Sequence, residues 1–355
     1  MAIRQPCYNL YMRSLIAILI AALLIAPLTS FAATPQKIER LFYYMDTDSG
    51  YESLKKNATK IDILSPQAFT FDETGTLAAD MPARVMEVLE KHTRIKLMPL
   101  IENEYFDLNV AHTVLITPVA QDKLIADMIK IGVQNKYWGY QLDMEHMNVE
   151  DRDLYSAFSE KMATALHAAG LKYSVAVSPR HSDNQADYDA GSWQKWTGVF
   201  DYAALAKSAD FVSVMVYDQA RSVGPTSTLT WYGDVVNYSL KKIPKEKLSI
   251  GIPFYGWEWI PGGGKKIASH TYRYVTDQVK NKMVESTFFN DVLGTGIMTY
   301  FVKVNGVKEK RVLWYENVRS FTLKYDIIKK YGLRGFSAWA LGQEDARIWN
   351  TLPKR

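Results

Sequence analysis

Cysteine is nearly missing from this chain. The single thiol, Cys7, lies in the first few residues, so no disulfide can staple the remainder and no thiol chemistry is available there. A large domain needs no such staple, because its buried core suffices. Histidine is also sparse, with six scattered residues forming no metal-ligand spacing. Strong charge of either sign is absent. The formal net charge of +4 is spread along the chain and excludes the basic patch of a nucleic-acid binder. The sequence has no internal repeat and no low-complexity tract. Its one glycine run, Pro261-Gly262-Gly263-Gly264, lacks the Lys-Ser/Thr of a phosphate loop and reads as a flexible loop.

What is present is a globular composition, 48% hydrophobic and 23% charged, preceded by a leader. Arg4 and Arg13 come before an apolar run from Leu15 to Leu28. Ser30-Phe31-Ala32 then supplies small residues where a signal peptidase reads. The run is short for a membrane span. Residues 1–32 are therefore predicted to be a signal peptide cleaved after Ala32, with Met12 an alternative start. Residues 33–355 are predicted to form one secreted or periplasmic (cell-envelope) domain, monomeric and without stable membrane insertion once the leader is gone. Asn57 and Asn237 match the glycosylation triplet, which matters only in a eukaryotic secretory host.

Short apolar or β-branched runs recur along that domain, each followed by a helical pattern. Strands are predicted near Arg40–Met45, Lys60–Leu64, Ile95–Leu100, Gly139–Met144, Lys172–Val177, Phe211–Tyr217, Leu248–Pro253 and Gly335–Ala340. Eight alternating units argue for an α/β fold closed into a (β/α)8 barrel. Helices are expected after Asp151, which can cap one running to Gly170 on an apolar face that includes Leu154. Others are expected from Pro118 and over Asn317–Tyr331, stopped by Gly332. The longest gap, residues 257–317, is predicted to be a small α+β insertion between strands seven and eight. It holds a helix around Tyr272–Lys282 and two strands joined by Asn305-Gly306, a strong hairpin signal.

The stretch Trp138 to His146 organises the rest. Strand side chains alternate, so Gln141, Asp143 and Glu145 share one face while Tyr140, Leu142 and Met144 share the other. An ordinary strand that turns its polar face to water would read the same. In a parallel barrel, however, the C-terminal strand ends meet at one mouth, where active sites of this fold sit. The same mouth receives Met215, Tyr217 and Asp218 from strand six, Tyr255 and Trp257 after strand seven, and Trp339 from strand eight. Carboxylates, a phenol and aromatic rings suit a sugar-processing cleft. Trp231 and Trp259 are further candidate platforms, and Glu102 and Glu104 follow strand three at the same mouth.

These residues resemble glycoside hydrolase family 18, the chitinases and related N-acetylglucosaminidases. The family's strand-four signature, Asp-x-x-Asp-x-Asp-x-Glu, aligns with Asp143 and Glu145, while Trp138 and Gln141 replace its first and middle aspartates. Met215-x-Tyr217-Asp218, Gly251-Ile-Pro-Phe-Tyr255-Gly256 and Gly335-Phe-Ser-Ala-Trp339 match in the right order. With Val312-Leu-Trp314-Tyr315-Glu316-Asn317 and Ser320-Phe-Thr-Leu-Lys324, the chain is most similar to the bacterial cell-wall and spore-cortex N-acetylglucosaminidase branch. The resemblance implies a retaining, substrate-assisted glycosidase needing no metal and no cofactor, an exception to the two-carboxylate scheme. It implies Glu145 as acid and base, Asp143 and Tyr217 as holders of the substrate acetamido group, and Trp339 as the floor under the sugar. Asp218, Gln141, Met215, Tyr255 and Trp257 are the remaining expected substrate contacts. The implied substrate is an N-acetylglucosamine-containing polysaccharide or oligosaccharide, from peptidoglycan or chitin. The alternative is a lectin-like barrel that binds such glycans without cleaving them.

Overall fold

The computed structural model describes Met1 and residues 37–219, 223–264, 266–281 and 283–355. Apart from Met1, the predicted leader lies outside them. Barrel strands 1 and 2 are Glu39–Tyr44 and Ile63–Phe71. Strand 3 is split into Lys96–Leu97 and Leu100–Asn103, and strands 4 to 6 are Gly139–Asp143, Lys172–Val177 and Phe211–Val214. Strands 7 and 8 are Leu248–Pro253 and Gly335–Trp339. Each pairs in parallel with the next, and strand 1 pairs with both strand 2 and strand 8, so the sheet closes. The expected (β/α)8 barrel is the observed fold. Among the described residues, no helix is long and apolar enough to cross a membrane.

Side-chain alternation explains the two layers of core. Tyr140 and Leu142 point outward into the large cluster between sheet and helices. Leu41, Tyr43, Ile63, Met98, Leu100 and Phe211 fill the interior instead. All five residues of strand 4 are buried, so its polar face looks into the barrel, not into water. Gly139 is needed at its start, because a Cβ there would sit 2.1 Å from the Lys172 carbonyl oxygen of strand 5.

Several boundaries differ from the sequence-based expectation. Strand 2 begins at Ile63, since Lys60 belongs to a short 3-10 turn. Strand 3 breaks at Pro99, which has no N–H to give to a ladder. Strand 6 ends at Val214, leaving Met215 to Asp218 as irregular backbone at the mouth. Asp151 precedes the helix Arg152–Ala168 without capping it through its side chain. Its carboxylate is engaged instead by His112 Nδ1 at 2.9 and 3.0 Å. Leu154, expected on the apolar face of that helix, is exposed.

The helix Pro118–Gln134 starts on its proline as expected. Val318–Tyr331 is closed by a capping box at Asn317 and by left-handed Gly332. The insertion starts two residues earlier than anticipated and holds five strands where two were expected. Its first strand, Tyr255–Trp259, follows strand 7 after one residue and lies in a five-stranded sheet with Lys266–Thr271, Val307–Tyr315, Thr295–Val304 and Val284–Asn290. The helix Tyr272–Lys280 packs on it through Val275. Asn305 and Gly306 have φ of 51° and 81°, the positive values a two-residue hairpin turn requires.

Where the insertion rejoins the barrel, Glu316 and Lys324 form an ion pair of 2.7 Å with side chains 4% and 0% exposed. Lys324→Met strands a buried carboxylate and is expected to cost about 3–5 kcal/mol in urea denaturation at neutral pH. Adding Glu316→Gln should recover much of that loss.

Candidate active site

The strand ends converge as the alternation pattern requires. Strand 4 brings Asp143, 3% exposed, with Glu145 just beyond its end and only partly buried. Glu145 is held by its backbone: Asn103 Oδ1 accepts from the Glu145 N–H at 3.0 Å, and Asn103 Nδ2 donates to the Glu145 carbonyl at 3.0 Å. This two-point clamp comes from the end of strand 3 and fixes where the carboxyl group emerges.

A cleft of about 770 Å³ opens beside it. Glu145, Met215, Tyr217 and Asp218 form its barrel side, and Trp231 and Trp314 lie on other walls. A second pocket of about 250 Å³ takes Tyr255, Trp257, Lys266 and Trp339. Asp218 lines both, so the two spaces share a wall. Its carboxylate accepts a 2.5 Å bond from Tyr255 Oη, and its φ of 59° turns the chain sharply at this point. Tyr217 packs against Met215 and Ala176, with Tyr255 and Trp339 alongside.

Two buried polar atoms at the centre have no hydrogen-bond partner among the described residues. They are Asp143 Oδ1 and Tyr217 Oη, one able to accept and one to donate. Buried polar groups are normally satisfied, so such a pair marks where a ligand's own polar atoms belong. Trp257 Nε1 and Trp314 Nε1 are further unpartnered donors in the walls.

The electrostatics are one-sided. Burial, then the charges of Glu102 and Asp218, push the Glu145 carboxyl up to about 7. Asp143 is raised well above the usual carboxylate range by burial, then by Glu145 and Glu102. Burial also raises Asp218, opposed by the Tyr255 bond and by Lys266. A buried acid beside like charges keeps its proton near neutrality, as a proton donor must.

Not every expected contact reaches the cleft. Gln141 is fully buried in the layer below Asp143, and its carboxamide is spent within the barrel. Tyr43 Oη donates to Gln141 Oε1 at 2.7 Å, while Gln141 Nε2 donates to Ser174 Oγ at 2.7 Å and Ser213 Oγ at 3.0 Å. The substrate-contact reading of Gln141 is corrected to a supporting one, because no polar atom of it is left to offer. Trp259 is likewise committed, donating to the Gly224 carbonyl at 2.9 Å. Glu102 and Glu104 line neither pocket.

Sequence reasoning missed Asn103 and the loop after strand 5, which brings Ser178 and Trp196 to the cleft. It also passed over Trp314 as a wall residue. The run Gly191-Ser-Trp193-Gln-Lys-Trp196 was the available signal, an aromatic pair in a polar loop at the barrel mouth.

An acid pair at the mouth of a parallel barrel, with indoles in the walls, is the equipment of an enzyme that works on sugars. Comparison with known proteins specifies which. Residues 40–344 match Glycosyl hydrolases family 18, and the chain belongs to that family of glycosidases. It is 29% identical over 320 residues to the uncharacterized glycosylase YvbX of Bacillus subtilis, covering 88% of this chain and 90% of that protein. It is 24% identical over 312 residues to the cortical fragment-lytic enzyme of the same species, covering 85% and 69%. A chitinase structure from Chromobacterium violaceum superposes with a TM-score of 0.78 at 24% identity, covering 88% of this chain and 97% of that one.

The raised acids carry a stability signature. A carboxyl whose folded pKa exceeds its unfolded value favours folding below the unfolded value, and that contribution is lost as pH rises through the folded one. For Glu145 the window runs from 4.5 to about 7. Glu145→Gln should therefore flatten the fall in melting temperature across that window, measured by calorimetry in a pH series.

Proposed function

We propose that this glycosidase is exported and cleaves β-linked N-acetylglucosamine glycans with retention, using the substrate's own acetamido group as nucleophile. The observation that carries this reading is the unpartnered pair Asp143 Oδ1 and Tyr217 Oη. An acetamido group has one N–H to give and one carbonyl oxygen to receive a proton donor, which is the complement of that pair.

In this mechanism Glu145 protonates the glycosidic oxygen as the bond to the anomeric carbon breaks. The acetamido carbonyl oxygen attacks that carbon and closes an oxazolinium ring. Asp143 accepts the N–H bond and offsets the positive charge that develops, and Tyr217 holds the carbonyl oxygen in line. Glu145, now ionised, takes a proton from water as the water opens the ring. Trp339 supplies an apolar surface for the sugar face, and Asp218 binds hydroxyls where the two pockets meet. The requirement for a 2-acetamido group excludes cellulose and starch.

Peptidoglycan is the favoured polymer. The similarity to a cortical fragment-lytic enzyme supports it, as does the leader at residues 1–32, which is read from sequence. Chitin oligomers meet the same chemical requirement.

Glu145→Gln is expected to retain oligosaccharide binding and lose release of reducing ends from peptidoglycan or chitooligosaccharides. Equal release by wild type and variant, or none by either on any acetamido glycan, would end the catalytic reading. Tyr217→Phe should lower kcat by roughly 10²–10³ with a smaller change in KM, as expected when a hydrogen bond matters most in the transition state. Mass spectrometry of peptidoglycan digests should find reducing N-acetylglucosamine ends. Reducing N-acetylmuramic acid would contradict the assignment.

A further inference from the structure

Glu102 takes no part in the mechanism above, yet it is a buried carboxylate beside the acid. It lies in strand 3, where the register pairs it with Asp143 of strand 4. Register partners on adjacent parallel strands present their side chains to the same face, so Glu102 shares the barrel interior with Asp143. Glu102 is 6% exposed and lines neither pocket. Both its oxygens accept from Gln67 Nε2, at 2.9 and 3.1 Å, a contact that favours the ionised form.

Among the described residues, the groups that face the three carboxyls are acidic or neutral. Strand 1 contributes Tyr43, strand 2 the Gln67 amide and strand 4 the Asp143 and Glu145 carboxyls; Tyr217 and Asp218 come from the segment after strand 6. His146 beside Glu145 has its Nδ1 against the Phe106 carbonyl at 3.1 Å and its ring stacked on Trp196. Among the described residues, Lys266 is the cation that acts on Asp218. One layer deeper, strand 3 Leu100 pairs with Gln141, whose amide carries no charge.

We propose that Glu102 is a positioning residue for the acid, setting against Asp143 and Glu145, from the neighbouring strand, the negative charge that Gln141 cannot hold. The strand-four signature that this chain resembles has an aspartate at the Gln141 place, one alternation below Asp143. Here that layer is neutral and closed by Tyr43, Ser174 and Ser213. The third carboxylate enters sideways, through the sheet register, instead of along the strand. Gln67 donates to both its oxygens, which favours the charged form and partly opposes the effect of burial. Glu102 acts through its neighbours and touches no substrate. Burial carries its own carboxyl up to about 7, and its charge in turn raises both Asp143 and Glu145.

The inference rests on Glu145 being the acid, and the test separates the two. The pH dependence of kcat/KM on an acetamido glycan is measured for wild type and Glu102→Gln. Loss of a like charge should move the alkaline limb acidward by about one pH unit. Gln141→Asp in the Glu102→Gln background, which restores a carboxylate to the layer below, should move that limb back. A uniform drop at every pH with the limb in place would assign Glu102 a merely structural role and overturn the proposal. Carbon-13 NMR of the carboxyl carbons in the substrate-free wild-type protein reads the coupling without activity or mutation. Glu102, Asp143 and Glu145 should respond over one shared pH range, in several steps. Independent single-step titration of Glu102 would defeat the proposal even if the enzyme is active. Coupled titration in a protein that cleaves no acetamido glycan would instead defeat the catalytic reading.

Discussion

A carboxyl group enclosed in a barrel mouth must find a cation or hold on to its proton, because an unpaired charge away from water is costly. Strands 3 and 4 bring Glu102, Asp143 and Glu145 to such a place, and the described residues answer with amides and phenols. Much of the local architecture follows from that choice. The layer below Asp143 is neutral and fully bonded around Gln141. The acid's backbone is clamped by Asn103, so the carboxyl stays near its neighbours instead of swinging to solvent. The enzyme's proton inventory is thus a property of two neighbouring strands, not of one residue.

The same reasoning accounts for what is left unsatisfied. Barrels bury polar atoms freely when a partner is built in, as with Ser159 and Tyr173, whose hydroxyls meet at 3.0 Å, or with Tyr202, which donates to the Ser178 carbonyl at 2.6 Å. Asp143 Oδ1 and Tyr217 Oη are buried without such a partner, and Tyr217 lines the cleft beside Glu145. Tyr155 Oη and Tyr232 Oη are bare as well, so what suits Tyr217 to a partner arriving from outside is its place in the cleft wall beside Glu145 and Asp218.

The barrel and the centre of its site were legible in the sequence because both rest on short-range regularities. Alternation in strand 4 placed Gln141, Asp143 and Glu145 on one face, and eight β-to-α periods announced closure. The boundaries that slipped did so where tertiary contacts override local pattern. Asp151 looks like a helix cap, but His112, far from it in sequence, captures its carboxylate. Gln141 looked like a substrate contact because alternation gives the face and not the depth. Depth depends on which strands stand opposite, and Tyr43, Ser174 and Ser213 lie on three different ones. Asn103 carried no local signal at all, since its role is a bond across the sheet to another strand's backbone.

The insertion has a consequence for how the molecule assembles. Strand 8 finds its place by pairing Gly335 with Ser249 of strand 7 and with Glu39 of strand 1, so the ring shuts only across the whole intervening segment. Closing a long flexible loop costs conformational entropy that grows with the logarithm of its length. Here the segment is not a flexible loop. Its tight turn at Asn305-Gly306 nucleates a long antiparallel ladder from Val304↔Val307 to Gly296↔Tyr315, contacts that are local and quick to form. Once that ladder exists, the chain ends it delivers are already drawn together, because Tyr255–Trp259 pairs with Val307–Tyr315. With its two ends held side by side in one sheet, the insertion shortens the gap between strands 7 and 8 that the barrel must span to close.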